Sequence, residues 1–381
     1  MKLGIDASNL RAGGGVTHLM ELLRIARPHD YGFDEVIVYG GSNTLNRLEE
    51  RPWLCKIHEP LLDRALPMRL YWQQFILERL ARREKCDVLF VPGGLYLGKF
   101  RPFVTISQNL IPFQWREIRR YGASWMFLRN MLLCWSQKQT FRVSNGLIFL
   151  THYAHDVVMK KVKYSSGRII IIPHGVNKQF LLASREQRDL KNCSLQQPFR
   201  ILYVSSIDLY KHQWHVAEAV AKLKEVGYPV QLDLVGSAYP PALKRLHRAF
   251  NRFDPKETFL HYRGEIPYFK LFDLYQQADV FVFASSCETF GQIVTEAMAA
   301  GLPIACSNKG PMMEILGDSA IYFNPEKSME IAEALKALID SPDMRAEKAN
   351  AAYKKSKAYT WENCAHKTFT FLSQIAVNYK K

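Results

Sequence analysis

Short apolar runs alternate with longer amphipathic segments along this 381-residue chain. The runs have the length of strands, and the segments that follow them have the apolar spacing of helices. In the first half, the pattern predicts strands at 2–7, 35–39, 88–91, 103–107 and 146–150, and helices at 17–25, 70–83 and 151–161. This alternation is typical of a doubly wound α/β domain, whose ligands bind beyond the carboxyl ends of the strands.

The same alternation of strands and helices begins again at position 201 and predicts a second domain of the same class. Strands are expected at 201–204, 230–235, 259–262, 280–284, 304–305 and 321–323. Helices are expected from 211 to 226, at 271–276, from a cap at Thr289 through 300, around Glu314 and at 331–339, with a terminal helix reaching 377. The chain length also favours two domains, each large enough for its own core. Between the halves, an isoleucine run at 169–172 ends in Pro173-His174-Gly175.

The second half is organised around residues 278–303, ADVFVFASSCETFGQIVTEAMAAGLP. A strand at 280–284 leads through a turn at 285–288 to a helix that Gly301 and Pro303 end. Thr289 and Gln292 have the spacing of a capping box, which predicts that the helix begins there. Free backbone N–H groups and the helix dipole at such a start form an anion site.

Two glutamates flank this predicted anion site. Glu288 lies just before the helix, and Glu296 lies about two turns inside it. Carboxylates do not bind phosphate, but they accept hydrogen bonds from sugar hydroxyls on either side of a diphosphate. The alternative is that Glu288 only complements the helix dipole and that Glu296 is a solvated surface residue.

The pattern S-x-x-E-x-F-G-x-x-x-x-E-A-M-A-x-G-x-P over 285–303 resembles the donor-site signature of family 4 glycosyltransferases, the large retaining GT-B group. The resemblance implies two Rossmann-like domains that face each other across a cleft. It implies an acceptor-binding domain at 1–170, with a C-terminal helix at 360–378 packing back on it, and a nucleotide-sugar-binding domain at 173–358. It also implies transfer of a hexose with retention and without a metal ion.

The same resemblance assigns the site residues. Lys211, in a Ser-x-x-x-x-Lys segment, would hold the departing diphosphate, although a lysine at a helix start is more often an ordinary surface residue. Gly14 and Gly15, in the loop Arg11-Ala12-Gly13-Gly14-Gly15, would approach the diphosphate, although a plain turn is about as common. The predicted catalytic residues are Glu288, Lys211 and Gln108; the predicted donor-binding residues are Gly14, Gly15, Lys211, Ile266, Thr289, Phe290, Gly291, Gln292 and Glu296; no metal ligand is predicted.

Two positions depart from the family pattern. Gln108 stands where the family usually has histidine, so an acid/base role there is in doubt because an amide does not titrate. It can still bind a sugar hydroxyl. Ser206 stands where many members have arginine, so one phosphate contact is absent or supplied elsewhere.

The net charge of +15 is unevenly distributed. Residues 1–172 hold 25 Lys and Arg against 14 Asp and Glu, and therefore account for +11 of it. Between Lys99 and Arg168 there are twelve basic residues and two acidic ones, Glu117 and Asp156. Such a field attracts a polyanion or an anionic surface, and we expect an anionic, lipid-linked glycan acceptor.

Residues 114–142 mix tryptophans and aliphatic side chains with arginines. A helix lying in a membrane interface has this composition, and so does a partly buried helical pair whose arginines face solvent; the sequence favours neither. Nucleic acid is not expected as a partner, because no known nucleic-acid-binding pattern accompanies the basic residues.

The seven cysteines show no C-x-x-C and no metal-ligand spacing, and no Asp-x-Asp occurs. We therefore expect reduced thiols, no metal ion and no cofactor beyond the nucleotide sugar substrate, a GDP- or UDP-sugar. Residues 1–10 lack the features of a signal peptide, and no uninterrupted apolar window spans a bilayer. A cytoplasmic location, peripheral on the inner face of the membrane, is expected.

The resulting functional prediction is a retaining glycosyltransferase that moves a hexose such as mannose or glucose to a glycan or lipid-linked oligosaccharide in polysaccharide or O-antigen biosynthesis. Two alternatives stay open. One is another GT-B nucleotide-sugar enzyme, either an epimerase or a soluble sugar-phosphate glycosyltransferase. The other, suggested by Gln108 and Ser206, is a non-catalytic nucleotide-sugar-binding protein.

Overall fold

The chain folds into two compact units. The computed structural model describes residues 1–11, 13–164, 167–182 and 186–380. The first unit comprises Met1–Gly175 and Thr360–Lys381, and the second comprises Val176–Tyr359.

The first unit is built on a seven-stranded parallel sheet in the order β3-β2-β1-β4-β5-β6-β7. Its strands are β1 (Lys2–Asp6), β2 (Glu35–Gly40), β3 (Leu54–His58), β4 (Val88–Val91), β5 (Phe103–Ser107), β6 (Gly146–Phe149) and β7 (Arg168–Ile171). Its helices before the crossover are α1 (Gly14–Ile25), α2 (Ser42–Leu45), α3 (Leu66–Phe75), α4 (Leu77–Arg83), α5 (Trp115–Arg119), α6 (Trp125–Val143) and α7 (His152–Met159).

The second unit has a six-stranded parallel sheet in the order β10-β9-β8-β11-β12-β13. Its strands are β8 (Phe199–Val204), β9 (Val230–Val235), β10 (Leu260–Tyr262), β11 (Val280–Phe283), β12 (Ile304–Ser307) and β13 (Ala320–Phe323). Its helices are α8 (Gln213–Glu225), α9 (Pro240–Phe253), α10 (Leu271–Gln277), α11 (Gln292–Ala299), α12 (Met312–Leu316), α13 (Ser328–Asp340) and α14 (Pro342–Ser356). The last helix of the chain, α15 (Trp361–Lys380), belongs to the first unit.

Each sheet has a central strand that is buried along its whole length, because helices cover parallel sheets on both faces. Every residue of β4 and of β11 is buried. Each fully buried Val or Phe side chain in them contributes about 1.5–3 kcal/mol of hydrophobic stabilisation. The strand order reverses at β1–β4 in the first unit and at β8–β11 in the second, and such reversals place ligand sites at the carboxyl edge of the sheet.

Helix α15 packs closely into the first unit. The Phe369 and Phe33 rings lie 6.3 Å apart, and both side chains are fully buried. A Cβ atom added at Gly146 would lie 2.8 Å from the Phe371 ring. Glycine at the start of β6 therefore allows α15 to approach the sheet.

The predicted fold class, two parallel-sheet α/β domains of the GT-B type, is confirmed. Three details differ. The run at 146–150 is not the last strand of the first sheet, because Arg168–Ile171 adds the edge strand β7. The pattern at 70–83 is two helices that meet at Ile76. Strand β3 was not predicted, because Lys56 and His58 interrupt its apolar run. Helices α9 and α14 were not predicted either, because their composition is polar.

Candidate functional site

The turn between β11 and α11 forms the centre of the candidate site in the second unit. Helix α11 begins at Gln292, and its N-cap is Gly291 in the left-handed region with φ 90°. The predicted capping box of Thr289 and Gln292 is therefore wrong, because the loop continues for two residues beyond Thr289. A Cβ atom at Gly291 would lie 2.7 Å from the Cε atom of Met312. Backbone conformation and close packing both favour glycine here.

Lys211 and Glu288 meet at the carboxyl ends of two paired strands, β8 and β11. The Lys211 Nζ donates to Glu288 Oε1 in an ion pair whose side chains are 7% and 16% exposed. The ammonium also lies 5.0 Å from the centre of the Phe283 ring. The Tyr203 hydroxyl donates to the Lys211 carbonyl at 2.6 Å and fixes the backbone behind it. The pair is thus preorganised, with a cation and a carboxylate side by side.

The two loops that hold this pair are bonded to each other. The Ser286 amide donates to the Tyr210 carbonyl at 2.8 Å. His212, in the left-handed region with φ 53°, places its Nε2 atom 3.1 Å from Ser286 Oγ. Sequence reasoning missed Ser286 and His212, and their adjacency to Glu288 and Lys211 in the chain was the only signal for them.

Glu296 is buried on α11, with 2% of its surface exposed. The Tyr268 hydroxyl donates to its Oε1 at 3.1 Å, and the Tyr275 hydroxyl donates to its Oε2 at 3.2 Å. Burial raises the pKa of Glu296 to about 7, although both tyrosine hydrogen bonds act to lower it. The alternative of a solvated surface glutamate is excluded. Neither tyrosine was predicted, and both lie just before strand β11.

The other predicted donor-binding residues of the second unit lie in two loops and differ in burial. Ile266 is half-buried in the loop after β10, two residues before Tyr268. That loop is tied to the end of β9, since the Gly236 amide donates to the Gly264 carbonyl at 2.8 Å. Phe290 is buried, and Thr289 and Gln292 are half-buried. Ile266 is thereby linked to Glu296 through Tyr268, while Thr289 to Gln292 follow Glu288 directly.

In the first unit, the structure brings Gly15 and Gln108 together. A Cβ atom at Gly15 would lie 3.4 Å from Gln108 Oε1 and 3.0 Å from a Leu10 methyl carbon. Helix α1 begins at Gly14 after Gly13, whose φ is 72°. Ala12, in the same predicted loop, lies outside the described residues. Gln108 Nε2 also lies 3.4 Å from Nδ1 of the buried His18, whose pKa burial lowers to about 4.

Helix α6 presents apolar side chains outward and polar side chains inward. Its buried residues are Asn130, Gln137, Thr140 and Phe141. Its most exposed apolar residues follow helical spacing on the other face: Trp125, Leu128, Leu132 and Trp135 are 67%, 49%, 54% and 63% exposed. This inverted pattern leaves an apolar stripe at the surface, with the exposed Arg129 and Arg142 beside it. None of the described helices is long and apolar enough to cross a lipid bilayer.

Among the described residues, neither Glu288 nor Glu296 belongs to a cluster suited to a metal ion. Within the described part of the chain, one group of three or more His, Cys, Asp or Glu side chains can share an ion, and it consists of His18, His174 and Cys364 in the first unit. The expectation of a donor site without metal stays a prediction.

Comparison with known proteins supports the interpretation of the second unit. Residues 185–355 match the family model of glycosyl transferases group 1. Over 113 residues the chain is 30% identical to O-antigen chain mannosyltransferase B of Escherichia coli. The aligned segment is 30% of this chain and 30% of that protein. Five curated relatives are matched over 30% to 61% of their own lengths.

Solved structures share the fold over the whole chain. Sucrose-phosphate synthase of Thermosynechococcus elongatus has a TM-score of 0.79 at 17% identity, covering 99% of this chain and 100% of that one. HepE of Anabaena in complex with UDP-glucose has a TM-score of 0.69 at 16% identity, covering 100% of this chain and 99% of that one. These likenesses show that the fold is GT-B.

Proposed function

We propose that this protein is a retaining glycosyltransferase that moves a hexose from a GDP- or UDP-sugar to a glycan or lipid-linked oligosaccharide in polysaccharide or O-antigen biosynthesis. One observation carries the proposal. The Lys211–Glu288 pair lies in the unit that matches the group 1 model, and Glu288 comes four residues before the start of α11. The similarity to an O-antigen mannosyltransferase supports the polysaccharide context.

Lys211 and the start of α11 stabilise the departing diphosphate. Negative charge on the leaving oxygen grows as the glycosidic bond breaks, so a fixed cation nearby lowers the barrier more than it strengthens ground-state binding. The backbone N–H groups at Phe290, Gly291 and Gln292 add the partial positive charge of the helix start. Under this proposal these groups do the work of a metal ion, and donor transfer requires none.

The two carboxylates position the donor sugar groups. Glu288 accepts hydrogen bonds from hexose hydroxyls while it keeps its bond from Lys211, which fixes the side chain. Glu296 accepts hydrogen bonds from ribose hydroxyls, with Tyr268 and Tyr275 holding its oxygens in place. Ile266 and the loop around it contact the base. The acceptor hydroxyl attacks from the face of the leaving phosphate, which takes the proton.

The first unit binds the acceptor. Gln108 hydrogen-bonds an acceptor hydroxyl, and it transfers no proton because its amide does not titrate. The basic surface between Lys99 and Arg168 attracts an anionic pyrophosphate-linked glycan. The exposed apolar stripe of α6 lies in the interface of an anionic membrane, on its cytoplasmic side, where such acceptors are anchored.

A transfer assay tests this function directly. Purified protein receives GDP-mannose or UDP-glucose with a pyrophosphate-linked lipid acceptor in EDTA, and the product is analysed for its anomeric configuration. We expect a product of retained configuration, and flotation with anionic liposomes. Transfer to a soluble sugar phosphate alone would identify the soluble glycosyltransferase class. Donor binding without turnover on any acceptor would identify a binding protein.

A further inference from the structure

Three side chains that bind metals meet inside the first unit although they lie far apart in the sequence. His18 is on α1, His174 follows β7, and Cys364 is on α15. One ligand atom from each lies within 4.8 Å of the other two. The residues are 2%, 7% and 2% exposed, so the cluster is shielded from bulk water.

We propose that His18, His174 and Cys364 bind a zinc ion that fastens α15 and the segment after β7 to α1. Imidazole nitrogen and thiolate sulfur are both ligands that Zn²⁺ takes in proteins. The ion binds nitrogen at about 2.1 Å and sulfur at about 2.3 Å, so the three side chains draw inward by about an ångström when it enters. A small fourth ligand such as water completes the tetrahedron.

The surroundings orient the ligands. Gln108 lies 3.4 Å from Nδ1 of His18 and so holds one ring nitrogen. Rotation of its amide presents the oxygen to an Nδ1–H, which leaves Nε2 of His18 for the ion. Thr368 and the backbone of Gly175 hydrogen-bond with the Cys364 thiol and hold it in place. Metal-binding residues generally have such partners in the next layer.

An aromatic ring closes the cluster. The Trp361 ring lies 6.0 Å from the His18 ring and 5.7 Å from the His174 ring, centre to centre. The backbone also packs closely here, because a Cβ atom at Gly175 would lie 2.1 Å from the Trp361 backbone nitrogen. A buried ion at this junction stabilises the packing of the C-terminal helix. Its role is structural, separate from the proposed donor chemistry, and it departs from the expectation that the chain holds no metal.

Metal analysis of the full, tag-free chain tests the proposal without reference to activity. Protein produced in zinc-supplemented medium and passed over a desalting column is expected to retain one zinc ion per chain. Chelation is expected to lower the melting temperature by several degrees, and added zinc to restore it, because the ion binds the folded state. Cys364→Ser is expected to lose the ion. Cys306→Ser, which changes an equally buried thiol in β12 of the second unit, is expected to keep it.

Cobalt substitution provides a measurement that needs no variant. Co²⁺ bound to the wild-type protein is expected to show a thiolate-to-cobalt absorption band and the visible spectrum of a tetrahedral site. Wild-type protein that carries no zinc and is not stabilised by it would overturn the proposal. So would a cobalt complex without the thiolate band, or a folded Cys364→Ser variant that holds as much zinc as the wild type.

Discussion

The Lys211 ammonium and the Glu288 carboxylate form an almost buried ion pair at the ends of adjacent strands β8 and β11. Each charge lowers the cost of burying the other. We interpret this pair as the element that links donor recognition to catalysis. Under the proposed function, Glu288 holds the sugar and Lys211 meets the charge that develops on the diphosphate.

Removing the charge of Lys211 is expected to reduce turnover strongly and to weaken donor binding much less. Lys211→Met keeps the length of the side chain but removes its charge, and we expect kcat to fall by about 10²–10³-fold. The variant leaves Glu288 without its cation, which costs about 2–3 kcal/mol of stability. Steady-state kinetics and urea unfolding measure the two effects.

The double variant Lys211→Met with Glu288→Gln separates these effects. It is expected to recover most of the lost stability, because no lone charge remains, while activity stays low. The control is Lys222→Met, which removes a lysine paired with Glu218. It is expected to change neither kcat nor the stability of the fold. Wild-type kcat in Lys211→Met would contradict the assigned role.

The buried Glu296 makes stability depend on pH. Its folded-state pKa is raised to about 7 from an ordinary value of 4.5, so the folded state binds the proton more tightly than the unfolded state. Its contribution to stability is therefore greatest below pH 4.5 and is lost as pH rises to 7, by up to about 3 kcal/mol. Glu296→Gln is expected to unfold at higher urea than the wild type at pH 8, with the difference shrinking toward pH 5.

Glu333→Gln, on the exposed face of α13, provides the control for this comparison and is expected to follow the wild type at each pH. A Glu296→Gln variant whose stability difference from the wild type does not change between pH 5 and 8 would show that the carboxylate is already ionised in the folded protein.

Much of the fold and part of the site followed from the sequence. The buried strands were predictable because their apolar runs are short and uninterrupted, as at 280–284. Glu288, Lys211 and Glu296 stood out because the segments that contain them resemble those of family 4 glycosyltransferases. The partners that hold them did not, because Tyr268, Tyr275 and Ser286 act through tertiary contacts that leave no local pattern. The capping prediction failed for a related reason: Thr289 has the right spacing, but the left-handed Gly291 sets the helix start.

Gly291 is expected to matter for donor binding as well as stability. Alanine at φ 90° costs about 1–2 kcal/mol and displaces the first turn of α11, so Gly291→Ala is expected to raise the KM for the donor. Gly227→Ala is a matched control, since Gly227 has φ 93° with nothing within 4 Å of an added Cβ atom. It is expected to lose similar stability with an unchanged KM, and equal KM values for the two variants would contradict a donor role for the α11 start.

The apolar stripe of α6 is expected to bind membranes. Trp135→Glu places a charge at the C-terminal end of the stripe, and we expect liposome partitioning to fall by roughly 10-fold, equal to about 1.4 kcal/mol. Phe269→Glu changes an equally exposed aromatic residue, 70% exposed in the second unit, and is expected to bind as the wild type does. Flotation with anionic and neutral vesicles measures the membrane binding of both variants. Undiminished binding by Trp135→Glu would exclude the α6 stripe as the membrane-binding surface.

Donor binding tests the central claim most directly. The melting temperatures of wild-type protein and Glu296→Ala are compared with UDP-, GDP-, ADP- and dTDP-sugars in the presence of EDTA. A ligand that binds only the folded state raises its melting temperature once its concentration exceeds Kd. We predict that one class of nucleotide sugar stabilises the wild type and fails to stabilise Glu296→Ala. Stabilisation by none of them, or equal stabilisation of both proteins, would contradict a donor site at α11.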